Sequence, residues 1–530
     1  MMRNNVNLDY VIKRFLRYYS YRTLLVWRDG SPLYKEMTTY KEFGERINRL
    51  INALYDLGVK KQDRVAFLQN NCPQLLEGNI AAWKGGFVRV PLNPRHSPQE
   101  LTYMINDCTP STLIFGQEFQ DLVNSIHSSI NCVKHLICVR DLKEIRKNFL
   151  SYEEVLFSSD SKEREIEISS EDLSGLRYTS GTTGVPKAVA RTHRTIWQII
   201  KCNYSFFPQI ESPIYLSFLP LIHASIYYIV WNLMQGGTII LQKRFNADSV
   251  LQTIESERVT CTMLIPTLFN QLLDHPDIKK RDLSSLKWIL YATAPMAPER
   301  IKEAIEVFGP ILVQIYSQTE ALPITVLGMN DHKIGSEKEI RRLSSGGREP
   351  PEVMVRIVDE QGKDVPTNVV GEIITNAGDH TMIGYWNDPD STRETIKEGF
   401  LHTRDMGYMD EDGYLYVVDR KSDMIVSGGY NIYPKEVEDV IAKHDGVKEV
   451  AVVGVPDEKW GESVKALIVL KEGVTVTENE IIEFCKRHIA SYKKPSSVEF
   501  LDSLARTSIG KVSRKKLREP YWKGHTRRVH

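Results

Sequence analysis

Residues 178–189 read Tyr178-Thr179-Ser180-Gly181-Thr182-Thr183-Gly184-Val185-Pro186-Lys187-Ala188-Val189. Ser180, Thr182 and Thr183 supply hydroxyls. Gly181 and Gly184 let the backbone turn tightly and approach a ligand closely. Lys187 adds a positive charge on a mobile stem. This set of groups suits the wrapping of a polyphosphate by backbone N–H groups, hydroxyls and one ammonium. It is not a Walker A loop, because Lys187 is followed by Ala188 where that pattern requires serine or threonine. The competing reading is an ordinary flexible turn rich in glycine and hydroxyl residues.

Around this stretch the chain alternates strand and helix. Thr39 and Glu42 have the spacing of a capping box. Phe43, Ile47, Leu50, Ile51 and Leu54 then share one helical face, and Gly58 ends the helix. A strand at Val65–Leu68, a helical stretch to Trp83 and a strand from Phe87 to Val90 predict a βαβ unit in a largely parallel sheet. Ile239–Leu241 and Trp288–Tyr291 read as further buried strands. From Val353 to Val418 the pattern shortens to strands and turns, at Val353–Val358, Glu372–Thr375 and Tyr414–Val418. Beyond Asp419 a compact tail is expected. It has helices near Pro434–Lys443 and Glu478–His488, and strands at Val450–Val455 and Lys465–Leu470.

At 530 residues the chain is too long for one core. Apolar residues make up 42% and charged ones 26%, as in a soluble globular protein. Lys plus Arg equals Asp plus Glu at 68 each, so no global field favours nucleic acid. The basic run from Lys511 through Arg514, Lys515, Lys516 and Arg518 to Arg527 and Arg528 has two readings: a solvated tail, or a site for anionic phosphates. Seven scattered cysteines without a Cys-x-x-Cys pair fit reduced thiols. No apolar run approaches a membrane span, the start lacks an apolar signal core, and the end carries no targeting tag. A cytoplasmic enzyme is the expectation.

Three further motifs follow in order. Gln314-Ile315-Tyr316-Ser317-Gln318-Thr319-Glu320 comes after an apolar strand, where open α/β sheets bind ligands. Asp405 lies in His402-Thr403-Arg404-Asp405, ahead of Asp419-Arg420-Lys421-Ser422 and Ser427-Gly428-Gly429. Lys511 lies in Arg506-Thr507-Ser508-Ile509-Gly510-Lys511, with Ser491-Tyr492-Lys493-Lys494-Pro495 upstream. With the 178–189 stretch, these motifs resemble the adenylate-forming superfamily: acyl-CoA synthetases, luciferases and the adenylation domains of peptide synthetases. The resemblance spans nearly the whole chain.

The resemblance implies an α/β fold. A large N-terminal AMP-binding domain over residues 1–421 has two α/β subdomains and a small β-rich subdomain. A small mobile α+β domain over 422–530 carries the catalytic lysine, with the hinge at Ser422. It implies that Thr179 to Gly184 and Lys187 bind phosphates, with Thr182 also catalytic. Thr293, Ala294, Pro295, Gln314, Ile315, Tyr316, Ser317, Gln318 and Thr319 line the nucleotide site, with Tyr316 stacked on adenine. Glu320 holds Mg²⁺ through oxygen, as a hard cation requires. Asp405 and Arg420 take the ribose, since a carboxylate accepts two hydrogen bonds. Ser427, Gly428 and Gly429 border the coenzyme A path, and Lys511 is the catalytic lysine.

The chain departs from the family pattern at several glycines. Ser317 replaces one, Arg404 another in Thr-Gly-Asp, and Ala292-Thr293-Ala294-Pro295 stands for Gly-Gly-Ala-Pro. Ile315 stands where deep-tunnel relatives have glycine before the tyrosine. Leu219-Pro220-Leu221-Ile222-His223 resembles the segment that gates the carboxylate pocket, so His223 is a catalytic candidate; a core histidine is the other reading. No carboxylate follows to pair a substrate ammonium, so a simple acid is favoured. Added volume at Thr293 and Ile315 favours a short, branched or aryl acid over a long chain. The expected activity is an acid:CoA ligase using ATP, Mg²⁺ and coenzyme A on a small-molecule carboxylic acid. It needs no nucleic acid partner and leaves room for a homodimer. The rivals are an enzyme that loads a carrier-protein phosphopantetheine and a non-catalytic nucleotide-binding relative. A luciferase-like oxygenase shares the fold, but no residue here argues for oxygen chemistry.

Overall fold

The structure, a computed structural model, describes residues 7–28, 36–139, 148–179, 185–506 and 512–523. The chain divides into two compact units, one of residues 1–354 with 376–401, the other of 355–375 with 402–530.

The first unit is built on two eight-stranded sheets. One runs Gly384–Tyr385, Lys187–Thr192, Leu173–Thr179, Val88–Pro91, Arg64–Leu68, Thr112–Gly116, His135–Val139 and Leu150–Ser151 in spatial order. The expected βαβ unit is present: Arg64–Leu68 pairs parallel with Val88–Pro91 across the Pro73–Lys84 helix. Lys187–Thr192 is antiparallel to Leu173–Thr179. The other sheet has Cys261–Leu264, Trp288–Ala292 and Leu312–Tyr316 as parallel neighbours, closed by antiparallel Thr325–Leu327.

Two helices carry buried side chains on every face, Pro73–Lys84 and Ser225–Leu233. An all-round buried helix belongs inside a large core. The largest apolar cluster joins both helices to side chains of both sheets, and Trp83 stacks on Tyr227 at 6.3 Å between ring centres. The predicted first helix forms as Tyr40–Asp56, with the Thr39–Glu42 capping box in place and Gly58 at φ +86°. All seven cysteines are free thiols. No described helix is long and apolar enough to cross a membrane.

In the second unit Val355–Val358 pairs antiparallel with Gly371–Asn376, and Phe400–Met409 with Leu415–Arg420. The tail holds a second sheet, ordered Tyr430–Ile432, Ile425–Ser427, Gly461–Leu470, Val447–Asp457, with Ser497–Phe500 added parallel to Gly461–Leu470. Helices Pro434–Ile441 and Glu478–His488 lie where the sequence places them. The two long strands extend beyond the predicted ends, because ten antiparallel residue pairs join them.

One ion network ties this unit together. Arg514 reaches Asp419 at 2.8 Å, Glu438 at 2.6 Å and Asp423 at 3.5 Å. Arg518 donates to the Ser422 carbonyl at 3.1 Å and to Asp423 at 3.1 Å. Removing one partner from such a buried pair leaves an uncompensated charge.

Candidate functional site

The 178–189 stretch bridges two antiparallel strands. Thr179 and Lys187 face each other in register, so the intervening loop opens and closes one strand spacing apart, about 4.8 Å. Ser180, Gly181, Thr182, Thr183 and Gly184 lie outside the described residues, as does Lys511.

Lys187 is anchored rather than free. Its ammonium lies 3.3 Å from Asp388 Oδ2, hydrogen-bonds the Ser391 hydroxyl and sits 5.5 Å over the Tyr385 ring. Asp388 is the N-cap of the Pro389–Thr395 helix, its Oδ1 accepting the Ser391 N–H at 3.0 Å. That N–H, the Ser391 hydroxyl and the Lys187 ammonium hold the Asp388 carboxyl below its usual range.

The Tyr385 hydroxyl donates to Glu320 Oε1 at 2.8 Å. The backbone around Glu320 is pinned on both sides. Its own carbonyl accepts the Met382 N–H at 2.7 Å, and Gln318 N–H donates to the Ala321 carbonyl at 2.8 Å. From the Lys187–Thr192 strand, buried Arg191 donates to the Thr319 carbonyl at 2.9 Å and to the His380 carbonyl at 3.3 Å. Glu320 Oε2 has no hydrogen-bond partner among the described residues. A fixed carboxylate with one open oxygen fits a hard divalent cation, which phosphate oxygens and water would complete.

The Leu312–Tyr316 strand brings Gln314, Ile315 and Tyr316 to its carboxyl end, and Ser317, Gln318 and Thr319 follow as loop. Its parallel neighbour Trp288–Ala292 delivers Thr293, Ala294 and Pro295 beside them, with Ala292 level with Ile315. This is the strand-end position at which open α/β sheets bind ligands. Ile315 is 3% exposed, whereas Thr293 is exposed and holds φ +81°. The Tyr291 hydroxyl lies 3.1 Å from Gln314 Oε1. His223 is half-buried in the turn before the Ser225–Leu233 helix, its N–H donating to the Pro220 carbonyl at 3.1 Å.

In the second unit Asp405 and Arg420 face each other across a hairpin, with Arg420 Nε 3.5 Å from Asp405 Oδ1. Asp405 is buried, and Arg404 before it holds φ +59°. Ser427, Gly428 and Gly429 form the turn between Ile425–Ser427 and Tyr430–Ile432. Gly428 needs to be glycine on two counts: φ is +57°, and a Cβ would stand 2.7 Å from the Trp460 ring.

Several residues of the first unit's site escape sequence reasoning: Arg191, Tyr385, Asp388 and Ser391. Asp388-Pro389 did carry a signal, an N-cap residue before a proline at the first helical position. Arg191 carried none, since its partners are carbonyls far away in the chain.

The profile of the AMP-binding enzyme family matches residues 16–386, and that of the AMP-binding enzyme C-terminal domain matches 436–511. The chain is 36% identical over 501 residues to the medium/long-chain-fatty-acid–CoA ligase FadD8 of Mycobacterium tuberculosis, covering 92% of this chain and 86% of that one. It is 34% identical to a feruloyl-CoA synthase of Amycolatopsis sp, covering 91% of this chain and 94% of that one. It is also 34% identical to the indoleacetate–CoA ligase of Aromatoleum aromaticum, covering 91% and 92%. Among solved structures, the amide bond synthetase McbA of Marinactinospora thermotolerans superposes with a TM-score of 0.86 at 28% identity, over 97% of this chain and all of that one. ATP-bound MatB of Rhodopseudomonas palustris gives 0.87 at 26%, over 98% of this chain and all of that one. The ordered motifs, the paired sheets and these matches agree, and the chain belongs to the adenylate-forming superfamily, within its acyl-CoA synthetase family of AMP-forming acid–thiol ligases.

Proposed function

We propose that the protein joins a short, branched or aryl carboxylic acid to coenzyme A through an acyl-adenylate. The observation that carries the reading is the arrangement around Glu320. Tyr385 and Arg191 fix that carboxylate and its loop beside the strand pair that presents the phosphate loop. In the first step the acid attacks the α-phosphorus of ATP in line and pyrophosphate leaves. The obstacle is negative charge approaching negative charge, so catalysis is positioning plus cations. Lys511 supplies a positive charge at the transition state. Thr182 and its neighbours donate hydrogen bonds to the phosphates. Tyr316 stacks on adenine, with Gln314, Ser317, Gln318, Thr319 and the Thr293–Pro295 turn along the nucleotide. Asp405 and Arg420 take the ribose, and His223 borders the carboxylate. Mg²⁺, held by Glu320, would neutralise phosphate charge. In the second step the coenzyme A thiol displaces AMP, alongside the Ser427–Gly429 turn.

The domain boundary of this reading falls at Ser422, with residues 422–530 moving as the domain that carries Lys511. Support for the acid preference comes from buried Ile315 and from relatives named for feruloyl and indoleacetate substrates.

The test is acid-dependent pyrophosphate release over a panel of aliphatic and aryl acids, with mass spectrometry of the thioester formed on coenzyme A or on carrier protein. Lys511→Ala should lower acyl-adenylate formation by roughly 10²–10³-fold, the loss of one transition-state donor, and largely spare thiolysis of supplied acyl-adenylate. Unchanged adenylation sinks the lysine's role, and thioester on carrier protein alone sinks the coenzyme A acceptor.

A further inference from the structure

Three arginines of the first unit stand on one face of one sheet. Arg89 is level with Gly175, and Gly175 is level with Arg191. Arg177 follows two residues along the same strand, hence on the same face. Gly175 separates Arg89 from Arg191 by two strand spacings and contributes no side chain to fill the gap. A Cβ placed there would meet only the Arg89 carbonyl oxygen within 4 Å, at 3.3 Å. Gly175, Arg177 and Thr179 keep solvent-accessible surface, while the alternate residues Ser174 and Leu176 are buried. This face of the Leu173–Thr179 strand therefore stays partly accessible beside the buried Arg89 and Arg191.

The charges on this face are not balanced. Burial lowers all three guanidinium groups from their ordinary range, Arg89 and Arg191 to about 10. Among the described residues Glu320 is the one carboxylate that acts on Arg177 and Arg191, and none acts on Arg89. Arg89 is satisfied by the Asn79 side chain and by the Leu221 carbonyl at 2.8 Å. Arg191 is satisfied by the carbonyls of Thr319 and His380. The Arg177 guanidinium has no hydrogen-bond partner among the described residues, and neither has the hydroxyl of Tyr227, whose ring lies 6.3 Å from that of Trp83, over which Arg89 sits at 5.8 Å. Guanidinium stays protonated in proteins and binds carboxylate in a two-pronged fashion. A guanidinium with no hydrogen-bonding partner among the described residues calls for an anion.

We propose that Arg177 and Tyr227 form a subsite for a second carboxylate, or an equally strong anionic acceptor, on the acid that the enzyme activates. This rests on the ligase reading, in which the reacting carboxylate lies at His223. Tyr227 lies in the first turn of the Ser225–Leu233 helix and His223 in the turn just before it. Two groups so near in the chain suit a short diacid, and the class tested is a five-carbon diacid or a 1,4-disubstituted benzene ring. Arg89 and Arg191, held by their own partners, stand on the same face and add their field.

The test compares glutarate with pentanoate, and 4-carboxybenzoate with 4-methylbenzoate, in pyrophosphate release by the full-length protein. The dianion of each pair should win in kcat/KM. Arg177→Met should lower the dianion-to-monoanion ratio by about tenfold to a hundredfold, the range for a hydrogen bond to a charged group. Tyr227→Phe should lower it less. A ratio unchanged in Arg177→Met, or monoanions preferred by the unsubstituted enzyme, overturns the subsite. If no acid releases pyrophosphate, the ligase reading fails instead. Calorimetric binding of glutarate then decides the subsite alone: weaker binding to Arg177→Met supports it, and equal binding overturns it.

Discussion

Thr293 and Arg404, which the family resemblance sets against glycine, both keep a glycine-like backbone, at φ +81° and +59°. A left-handed conformation costs an L-residue about 1–2 kcal/mol, and for β-branched Thr293 it is a genuine outlier. Both residues border the proposed nucleotide contacts, where strain of this kind concentrates. Ser317 differs: its φ is not positive, so the glycine that the resemblance implies is not needed there. Arg404→Gly should raise the denaturant midpoint by the equivalent of about 0.5–1 kcal/mol, the strain relieved less the backbone entropy that glycine adds. A lower midpoint would mean that the arginine side chain contributes more than its backbone costs. Ile315 gives a second prediction at this scale. It lies buried in the Leu312–Tyr316 strand, level with Ala292. Ile315→Gly should shift kcat/KM toward longer acids, each fully buried methylene adding about 0.8 kcal/mol, while the core loses packing. An unchanged chain-length profile would place Ile315 away from the acyl group.

Among elements, the short Pro389–Thr395 helix shows how capping and site chemistry share one residue. Asp388 caps the helix through the Ser391 N–H and also pairs with Lys187. Two substitutions separate these tasks. Asp388→Ala removes the cap and should cost about 1 kcal/mol of stability. Asp388→Asn keeps the cap but drops the charge, so stability should hold while ATP binds more tightly to a released Lys187. Weaker ATP binding in Asp388→Asn would show that the pairing orients the lysine usefully. This helix also marks the limit of what the sequence discloses. Thr39 and Glu42 were legible because a capping box is local, and the 178–189 loop because its groups are contiguous. The Arg191–Thr319 and Tyr385–Glu320 contacts span 128 and 65 residues, and such pairing leaves no periodicity or composition signal. The Val447–Asp457 strand outran its predicted ends for a related reason. Glu449 and Pro456 look unlike strand interior, yet the antiparallel partner orders them, with Lys448 at the register shift between Val447 and Glu449.

At the scale of the whole chain, the 68 basic and 68 acidic residues cancel, so the pH response depends on individual buried groups. His193, His332 and His380 are buried in the first unit, and burial lowers each to about 4. Among the described residues neither ring nitrogen of His193 finds a hydrogen-bond partner. His332 is held as a neutral ring, Nδ1 2.8 Å from the Gly328 carbonyl and Nε2 2.9 Å from the Tyr291 hydroxyl. In the unfolded chain each imidazole takes a proton near pH 6.5; in the folded unit it does so only near pH 4. The unfolded state therefore binds more protons across this window, and folding stability falls as pH drops through it. Above pH 6.5 the contribution is fully present. By pH 4 each histidine has withdrawn roughly 3 kcal/mol, at 1.36 kcal/mol per unit. Thermal midpoints measured from pH 8 to pH 4 should stay level to about 6.5 and then decline steeply. His332→Gln lacks one of the three protonations, so its acid decline should be shallower even if its midpoint at pH 8 is lower. A decline confined to below pH 4 would instead assign acid unfolding to the carboxylate pairs, and would mean that these rings are already protonated or exposed in the folded unit.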